Sequence, residues 1–386
     1  MRTVHVITRL ILGGAQENTV LNCVDLIERY KDAVLLITGP PLGPEGSLLE
    51  KAKRKGVPLK VVEPLRRPVH PGRDWRAYRR ILRAVRAFSP DVVHTHSAKA
   101  GILGRAAAWK LGVPAVVHTI HGAPFYPYQN PVGRAFCREC ERWAERRCHA
   151  IISVADAMTE LMLGAKIGVP EKYTTIYSGM EVEPFLNARS GRAPLRRALG
   201  FSPDDVVIGK VARFFHLKGH EDVVEAAAAV VRANPNVRFL FIGDGILRES
   251  LRRRIAALGL DSYFRFTGLV PPDELPPYFA AMDILVHASL REGLARVLPQ
   301  ALIAGTPAVS YDVDGAREVV FDGETGRLIP PRDVPALAQA LTALSFDPAL
   351  RAAFGSEGRR RFTEVFRHEE MTRRIREVYE NVLSGR

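Results

Sequence analysis

Short runs of β-branched and aliphatic residues recur at intervals of about 25 residues, and segments with helical periodicity separate them. Strands that are apolar on both faces and alternate with helices are typical of a parallel sheet in an α/β domain. The pattern therefore predicts two doubly wound, Rossmann-like α/β domains, one in each half of the chain. The runs are VHVIT, AVLLIT, LKVV, DVVHTH, AVVHT and AIISV in the first half, and VVIGKVA, RFLFIG, YFRFTG, DILVHA and PAVSYD in the second.

The domain boundaries follow from where this pattern is interrupted. A chain of 386 residues exceeds one ordinary domain. Segment 183–205 is rich in Pro, Gly, Ser and Arg and lacks periodicity, which predicts a linker. We expect a first domain over 1–184, a second over 185–365, and a last helical stretch over 366–386 that crosses back to the first. Because such sheets bind ligands at the carboxyl ends of their strands, we expect the two domains to face a cleft there.

The charge of the chain indicates its partners. Lysine and arginine number 55 against 42 acidic residues, a net charge of +13, which favours anionic partners such as nucleotides, phosphates and acidic lipid headgroups. No recognised nucleic-acid module is evident. No apolar run is long enough to span a bilayer, the start reads directly into a strand rather than a signal peptide, and four cysteines do not make a disulfide framework. We therefore expect a cytoplasmic protein.

Glycines and polar residues in the first half follow predicted strands. In LILGGAQENTV, Gly13 and Gly14 allow a tight turn into a helix whose N-terminus favours an anion, although the same residues suit a plain turn. The motifs HTHSAKAG and HTIHG place His96, Lys99 and His121 at strand ends, where we expect them to converge. A histidine there can hydrogen-bond a sugar hydroxyl or stabilise charge. The alternative for each histidine is a structural role in a loop.

The second half carries a basic pair and a carboxylate in two loops. Arg213 and Lys218 lie five positions apart between a strand and a helix, where a planar fork and a point charge can reach one dianion. Glu292 and Gly293 precede another helix, whose N-terminus favours a carboxylate or a phosphate. The alternatives are solvated basic residues and a simple helix cap.

Two patterns that suggest a metal have a simpler interpretation. Asp312 and Asp314 flank Val313 just before Gly315, which is typical of a turn. Cys137 and Cys140 form a C-x-x-C, but they share a helical face with apolar neighbours, which favours a buried stripe over a zinc site. That face comprises Phe136, Cys137, Cys140, Trp143, Ala144 and Cys148.

A basic helix is predicted over Arg73–Phe88. It places apolar residues on one side and arginines on the other, with few acids to offset them. The pattern fits a helix that packs on its sheet and exposes its basic face to solvent, or one whose basic face contacts anionic lipid. The apolar side comprises Trp75, Tyr78, Leu82 and Val85.

Eight short motifs, taken in order, carry a resemblance to a known family. They are GGAQ, HTHSAKAG, HTIHG, YSGME, the Arg213 and Lys218 pair, FIGDG, FTGLV and the REGL…PQALIAGTPAV block. With them the chain resembles, over nearly its whole length, the retaining GT-B glycosyltransferases of family 4. That group includes many bacterial capsule and exopolysaccharide transferases. The resemblance implies a hexosyltransferase with two Rossmann-like domains that face a central cleft.

The resemblance also implies how the donor, a nucleotide diphosphate sugar, is bound. Arg213, Lys218 and the turn at Gly14 would neutralise the diphosphate, so that fixed cations and helix N-termini stabilise the leaving group. No metal and no cofactor are then expected, and a UDP-sugar is favoured over a GDP-sugar. The other implied donor contacts are Glu292 on the sugar, backbone N–H groups of Gly293 and Leu294 near the sugar or phosphate, Leu269 and Val270 at the base, and Gln300 at the ribose.

In the first half, the resemblance places His121 beside the sugar near the reacting carbon, and His96 and Lys99 toward the acceptor. With Glu292, His121 forms the implied catalytic pair. Retention of configuration in this group is usually drawn as front-side attack by the acceptor hydroxyl, with the leaving phosphate taking the proton. The implied acceptor is a saccharide, in particular a lipid-linked one, at the inner face of the membrane.

Two positions depart from the family pattern. Gln300 stands where the family commonly has a second glutamate, so each hydrogen bond to the ribose is neutral and weaker. Ser178 replaces a common asparagine in YSGME. Two other interpretations stay open at this point: a catalytically silent sugar-nucleotide-binding scaffold, and a nucleotide-sugar epimerase of similar fold.

Overall fold

Every run that the sequence predicts as a strand forms one in the computed structural model, which describes residues 1–42 and 46–385. Positions 43–45 and 386, which the predicted domain ranges include, lie outside the described residues. The strands are β1 (Arg2–Arg9), β2 (Ala33–Gly39), β3 (Leu59–Val61), β4 (Val92–His96), β5 (Ala115–Ile120), β6 (Ala150–Ser153), β7 (Tyr173–Thr175), β8 (Val206–Val211), β9 (Val237–Ile242), β10 (Phe264–Gly268), β11 (Ile284–His287), β12 (Ala308–Tyr311) and β13 (Gly326–Ile329).

The helices alternate with these strands and cover both faces of each sheet. They are α1 (Gly14–Glu28), α2 (Leu49–Arg54), α3 (Pro71–Phe88), α4 (Ala98–Lys110), α5 (Pro131–Glu145), α6 (Asp156–Gly164), α7 (Glu183–Leu186), α8 (Arg192–Ala198), α9 (His220–Ala233), α10 (Arg248–Ala257), α11 (Pro276–Ala281), α12 (Val297–Ala304), α13 (Val334–Phe346), α14 (Pro348–Phe362) and α15 (His368–Leu383).

The chain divides into two compact units, each with its own parallel sheet. The first unit comprises Met1–Met180 and Val365–Arg386, and the second comprises Glu181–Glu364. The sheet of the first unit has the order β3-β2-β1-β4-β5-β6-β7, and that of the second has the order β10-β9-β8-β11-β12-β13. In both, the strand order reverses beside the first strand of the unit, which is the doubly wound arrangement predicted from the sequence.

The last helix, α15, belongs to the first unit. It packs on α1, where the Asp25 carboxylate accepts hydrogen bonds from Thr372 Oγ1 and His368 Nδ1, both at 2.8 Å. Met371 and Tyr379 are buried in the core of the same unit. The end of the chain thus covers one face of the first sheet.

Segment 183–205 is not a linker, contrary to the prediction. It forms α7 and α8 within the second unit. Arg192 and Arg196 of α8 both bind Asp283, at 2.7 Å and 3.0 Å, and Arg196 also reaches the carbonyl of Asp205. The arginines that suggested an unstructured connection are therefore tied to the start of β11.

Two predicted helix faces are rotated in the structure. On α5, Phe136 and Trp143 are exposed, so the predicted buried stripe is wrong at these positions. Glu141 is buried instead, because it pairs with the buried guanidinium of Arg105 at 2.7 Å. On α3, the apolar side predicted to start at Trp75 starts two residues later. Trp75 is exposed, and the buried residues are Ala77, Ile81 and Val85.

Candidate active site

The glycine-rich turn joins β1 to α1 as predicted. The helix begins at Gly14, and its first backbone hydrogen bond runs from Glu17 N–H to the Gly13 carbonyl at 3.0 Å. A side chain at position 13 would bring a Cβ within 2.7 Å of Gln16 Oε1. Gln16 Oε1 is the end of a flexible side chain that can move, so the turn accommodates glycine closely without requiring it. Its contact with a phosphate stays a prediction.

Three neighbouring strands of the first unit bring histidines to one face of the sheet. His96 is the last residue of β4, His121 directly follows β5, and His5 lies on β1, opposite His94 of β4. His96 Nδ1 lies 3.1 Å from His121 Nε2, and His96 Nε2 lies 3.0 Å from His5 Nδ1. The predicted convergence of His96 and His121 is confirmed by this contact. Their roles in catalysis are not tested by it.

The structure buries His96, which was predicted to lie toward the acceptor. Its side chain is 1% exposed, and both ring nitrogens already have histidine partners. Burial lowers the pKa of His96 well below its usual value, and the neighbouring His94 lowers it further, so the ring is neutral. Both of these hydrogen bonds of His96 thus stay within this unit, and its contact with an acceptor stays a prediction.

Lys99 lies in the first turn of α4 rather than at a strand end. Its ammonium donates to both carboxylate oxygens of Asp74, at 2.7 Å and 2.8 Å, and to the Pro68 carbonyl at 2.6 Å. These bonds tie α4 to the start of α3. Contact of Lys99 with an acceptor stays a prediction.

In the second unit, the two predicted charged loops meet. Lys218 Nζ lies 2.5 Å from Glu292 Oε1 in the described structure, and His287 Nε2 lies 3.7 Å from the same oxygen. The Glu292 backbone N–H donates to Asp314 Oδ2 at 2.6 Å. Burial alone raises the pKa of Glu292, but Lys218 more than offsets this, so the pKa lies at about 2 and the carboxylate stays ionised.

Arg213 lies in the same loop as Lys218, between β8 and α9. Its guanidinium stacks over the ring of Phe215 at 5.2 Å. The FIGDG loop packs against this segment so closely that a Cβ at Gly243 would lie 2.0 Å from the Ala212 carbonyl oxygen, and one at Gly245 would lie 2.5 Å from that of Phe214. Both glycines also have positive φ. The glycines thus fix the path of the basic loop.

Glu292 and Gly293 precede a helix, as predicted, but the helix does not begin directly after them. α12 begins at Val297, and the intervening residues form a loop in which the Gly293 carbonyl accepts from Gly315 N–H at 3.1 Å. Leu294 is buried in this loop. The Gly293 and Leu294 N–H groups therefore lie outside the first turn of α12, and their contact with the sugar or phosphate stays a prediction.

The residues predicted to hold the base and the ribose lie at the surface of the second unit. Leu269 and Val270 follow β10, and the Leu269 side chain is 65% exposed. Gln300 lies on α12 and is half-buried. Ser178, the other departure from the family pattern, is buried in the first unit. These positions do not test the predicted donor contacts.

Two family models match the chain in succession. The glycosyl transferase 4-like domain matches residues 14–179, and the glycosyl transferases group 1 model matches residues 192–361. A 2-deoxystreptamine glucosyltransferase from Streptomyces kanamyceticus is 31% identical over 68% of this chain and 70% of its own length. The chain belongs to the glycosyltransferases of family 4. The prediction of an enzyme of this family is therefore confirmed.

Further similarities agree with this family. An Escherichia coli UDP-Gal:alpha-D-GlcNAc-diphosphoundecaprenol alpha-1,3-galactosyltransferase is 27% identical over 72% of each chain. The crystal structure of Anabaena HepE in complex with UDP-glucose superimposes with a TM-score of 0.82 at 22% identity, covering 99% of this chain and 100% of the other. The GT-B fold predicted from the sequence is confirmed by this likeness.

The groups of residues in this glycosyltransferase whose spacing resembles that of metal ligands make contacts with other protein groups. Asp312 pairs with Arg317 at 2.7 Å, and Asp314, which begins a short 3-10 helix (Asp314–Glu318), accepts from the Glu292 backbone N–H. Among residues 1–42 and 46–385, the cluster with metal-like spacing is His5, His94 and His96, whose ligand atoms lie within 4.8 Å of one another. These rings bind one another and nearby hydroxyl groups. Hydrogen bonds thus account for the cluster.

Sequence reasoning missed a buried lysine near the charged loops. Lys210 of β8 is 1% exposed, and its ammonium has no hydrogen-bond partner among the described residues. Burial lowers its pKa to about 7, and the charge of Lys218 adds to this effect. His220, at the start of α9, is also buried, and neither of its ring nitrogens has a hydrogen-bond partner in the described part of the chain. A single lysine within an apolar run does not show, from the sequence alone, that its ammonium will be buried.

No helix in the described part of this glycosyltransferase is both long and apolar enough to cross a bilayer.

Proposed function

We propose that this glycosyltransferase transfers a hexose from a UDP-sugar to a hydroxyl of a saccharide acceptor, with retention of configuration and without a metal ion or other cofactor. The observation that carries the proposal is the Lys218–Glu292 pair, whose lysine shares the loop between β8 and α9 with Arg213. It provides fixed cations for a diphosphate and a fixed anion for a developing positive charge. The Escherichia coli relative named for UDP-Gal and the HepE complex with UDP-glucose support uridine as the base.

In the proposed reaction, the bond between the anomeric carbon and the UDP oxygen breaks as the acceptor oxygen bonds to the same face of that carbon. The acceptor proton passes to the leaving phosphate oxygen, so no protein base is needed. Arg213 and Lys218 stabilise the negative charge on the leaving group, and ionised Glu292 stabilises the oxocarbenium-like sugar. His121 contacts the sugar near the reacting carbon.

UDP is expected to stabilise the folded chain, and Arg213→Ala is expected to remove most of this effect. A ligand that binds only the folded state adds about 2.7 kcal/mol at a hundredfold excess over its dissociation constant. Thermal unfolding with UDP, GDP and ADP, at low salt and with EDTA, measures the effect. Arg252→Ala, on the exposed face of α10, serves as the control for loss of an arginine. Equal stabilisation by all three nucleotides, or by none, would contradict a uridine donor site.

For the acceptor, we propose a lipid-linked saccharide at an anionic membrane surface. The Escherichia coli relative is named for a diphosphoundecaprenol-linked sugar, which supports such an acceptor. The surface of α3 adds a second support. Ala77, Ile81 and Val85 anchor this helix to its unit. The opposite face exposes Trp75, Arg76, Arg79, Arg80, Arg83 and Arg86.

The triple change of Arg79, Arg80 and Arg83 to alanine is expected to weaken binding to anionic vesicles on the order of 100-fold. Each basic residue near such a surface contributes about 1 kcal/mol, and salt screens the attraction. Cosedimentation with phosphatidylglycerol-containing and purely phosphatidylcholine vesicles measures the loss. The matched control replaces Arg252, Arg253 and Arg254, which are exposed on α10. Equal weakening by the control, or no binding by the unaltered chain, would remove the role of α3.

A further inference from the structure

Three histidines of the first unit form a continuous hydrogen-bonded chain. His5 Nδ1 lies 3.0 Å from His96 Nε2, and His96 Nδ1 lies 3.1 Å from His121 Nε2. Each ring comes from, or directly follows, a different strand of three adjacent strands in the sheet. The chain runs from a fully buried ring on β1 to the histidine that the proposed function places at the donor sugar.

The His5 and His96 rings of this hydrogen-bonded chain are neutral. Burial lowers the pKa of His5 to about 3 and that of His96 well below its usual value. Their nearest ring neighbour, His94, is held separately, by Tyr379 Oη at 2.5 Å and Thr119 Oγ1 at 2.6 Å. A neutral imidazole has one N–H donor and one bare nitrogen that accepts. Two hydrogen bonds in series therefore allow only two arrangements of the protons.

The buried end of the chain selects between these two arrangements. His5 Nε2 is buried and has no partner among the described residues. If the bonds ran from His121 toward His5, this nitrogen would carry an N–H with nothing to accept it, and orphaned buried N–H groups are rarer than unsatisfied acceptors. The other direction leaves only a bare lone pair there. His5 then donates to His96, and His96 donates to His121.

We propose that His5 and His96 are positioning residues that fix the tautomer and orientation of His121, so that its Nε2 accepts from His96 and its Nδ1 carries the proton. The inference rests on the proposed function only in one respect, namely that His121 contacts the donor sugar. With Nε2 occupied by this hydrogen bond, His121 offers the donor sugar an N–H from Nδ1. Nε2 is also prevented from taking a proton from the acceptor, in keeping with a reaction in which the leaving phosphate takes it.

The tautomer of His121 can be read directly by 15N NMR of the full chain labelled at histidine, with His121→Asn used to assign its signals. Protonated and bare ring nitrogens have well-separated 15N shifts. We expect the unaltered chain to show His121 with a proton on Nδ1 and a bare Nε2. In His96→Phe, which cannot donate, we expect a mixture of both tautomers. A proton on His121 Nε2 in the unaltered chain would overturn the proposal without any variant.

Activity measurements then separate positioning from general destabilisation. His96→Phe is expected to lower kcat about 10- to 100-fold, as a misplaced catalytic group does, with the KM for the donor changed less than about threefold. His96→Asn keeps an amide N–H near the position of Nδ1 and is expected to restore most of kcat and the single tautomer. The control is His118→Phe, since this buried histidine binds Thr95 outside the chain of rings.

The outcomes distinguish the inference from the function beneath it. If His96→Phe leaves the His121 tautomer unchanged, or lowers kcat no more than His118→Phe does, the positioning role is wrong. If the tautomer responds as expected but His121→Asn keeps full activity, the positioning role holds. In that case the contact of His121 with the sugar is wrong.

Discussion

Glu292→Gln is expected to lower kcat about 100- to 1,000-fold, which is the usual cost of removing one fixed charge or dipole that stabilises a transition state. The replacement keeps the shape of the side chain and removes only its charge. In the structure this charge is secure, because Lys218 holds the pKa of Glu292 at about 2 despite burial, which alone would raise it. The carboxylate is thus ionised at any pH at which the enzyme is assayed.

The same variant is expected to bind UDP as tightly as the unaltered chain, or more tightly. Lys218 is engaged by Glu292 at 2.5 Å, so the carboxylate competes with a diphosphate for the ammonium. Neutral glutamine competes less. Lys218→Met, by contrast, is expected to weaken UDP binding about 10- to 100-fold, which corresponds to the loss of one charged hydrogen bond.

Steady-state kinetics with a donor sugar, together with calorimetric titration of UDP, measure both effects. Glu225→Gln is the matched control, because Glu225 is paired with Arg254 on an exposed surface of the same unit. Turnover within about threefold of the unaltered chain in Glu292→Gln would remove Glu292 from the catalytic machinery. A large loss of UDP affinity in that variant would mean that the pair only maintains the structure of the loop.

The strands were largely predictable because a buried parallel strand needs a continuous apolar run, and each such run is present in the sequence. The two strands that were missed, β7 and β13, are only three and four residues long and lie at the edges of their sheets. At these edges, pairing with the neighbouring strand stabilises a strand that the local sequence does not predict. Segment 183–205 was misjudged for a related reason, since its arginines find their partner, Asp283, far along the chain.

Helix faces were less predictable than strands. The periodicity of α5 identified the helix, but the side that is buried depends on Arg105, which draws Glu141 into the core. For the site, the structure brings together two loops that the motifs singled out, since Lys218 and Glu292 meet. What sequence reasoning could not supply is pairing across strands. His5 and Lys210 each stand alone in an apolar run and become informative only beside their neighbours in space.

Lys210→Met is expected to raise the free energy of unfolding of the full chain by about 5 kcal/mol at pH 6, an order-of-magnitude figure from the lowering of the lysine pKa from 10.5 to about 7. Burial is the main cause of that lowering, and the charge of Lys218 is the next. An ammonium without a hydrogen-bond partner among the described residues is costly to bury. Methionine has a similar length and no charge.

The pH dependence of the Lys210 charge determines how the stability difference between the variant and the unaltered chain changes with pH. Below about pH 7 the lysine is charged in both the folded and the unfolded chain, so the whole penalty applies. Between pH 7 and 10.5 the unfolded chain binds more protons, so the stability of the unaltered chain rises with pH. The advantage of the variant should therefore shrink across this window and vanish above it.

Urea unfolding at several pH values between 6 and 10 measures this difference. Lys172→Met is the control, since Lys172 is partly exposed and paired with Glu145. In this control, the free energy of unfolding should not show a gain at low pH that disappears as the pH rises. Lys210 lies near the loop that we propose binds the diphosphate, so we expect its costly buried charge to contribute to UDP binding. Lys210→Met should therefore gain stability and lose affinity for UDP. If stability rises and the affinity for UDP is unchanged, Lys210 has no role in binding UDP.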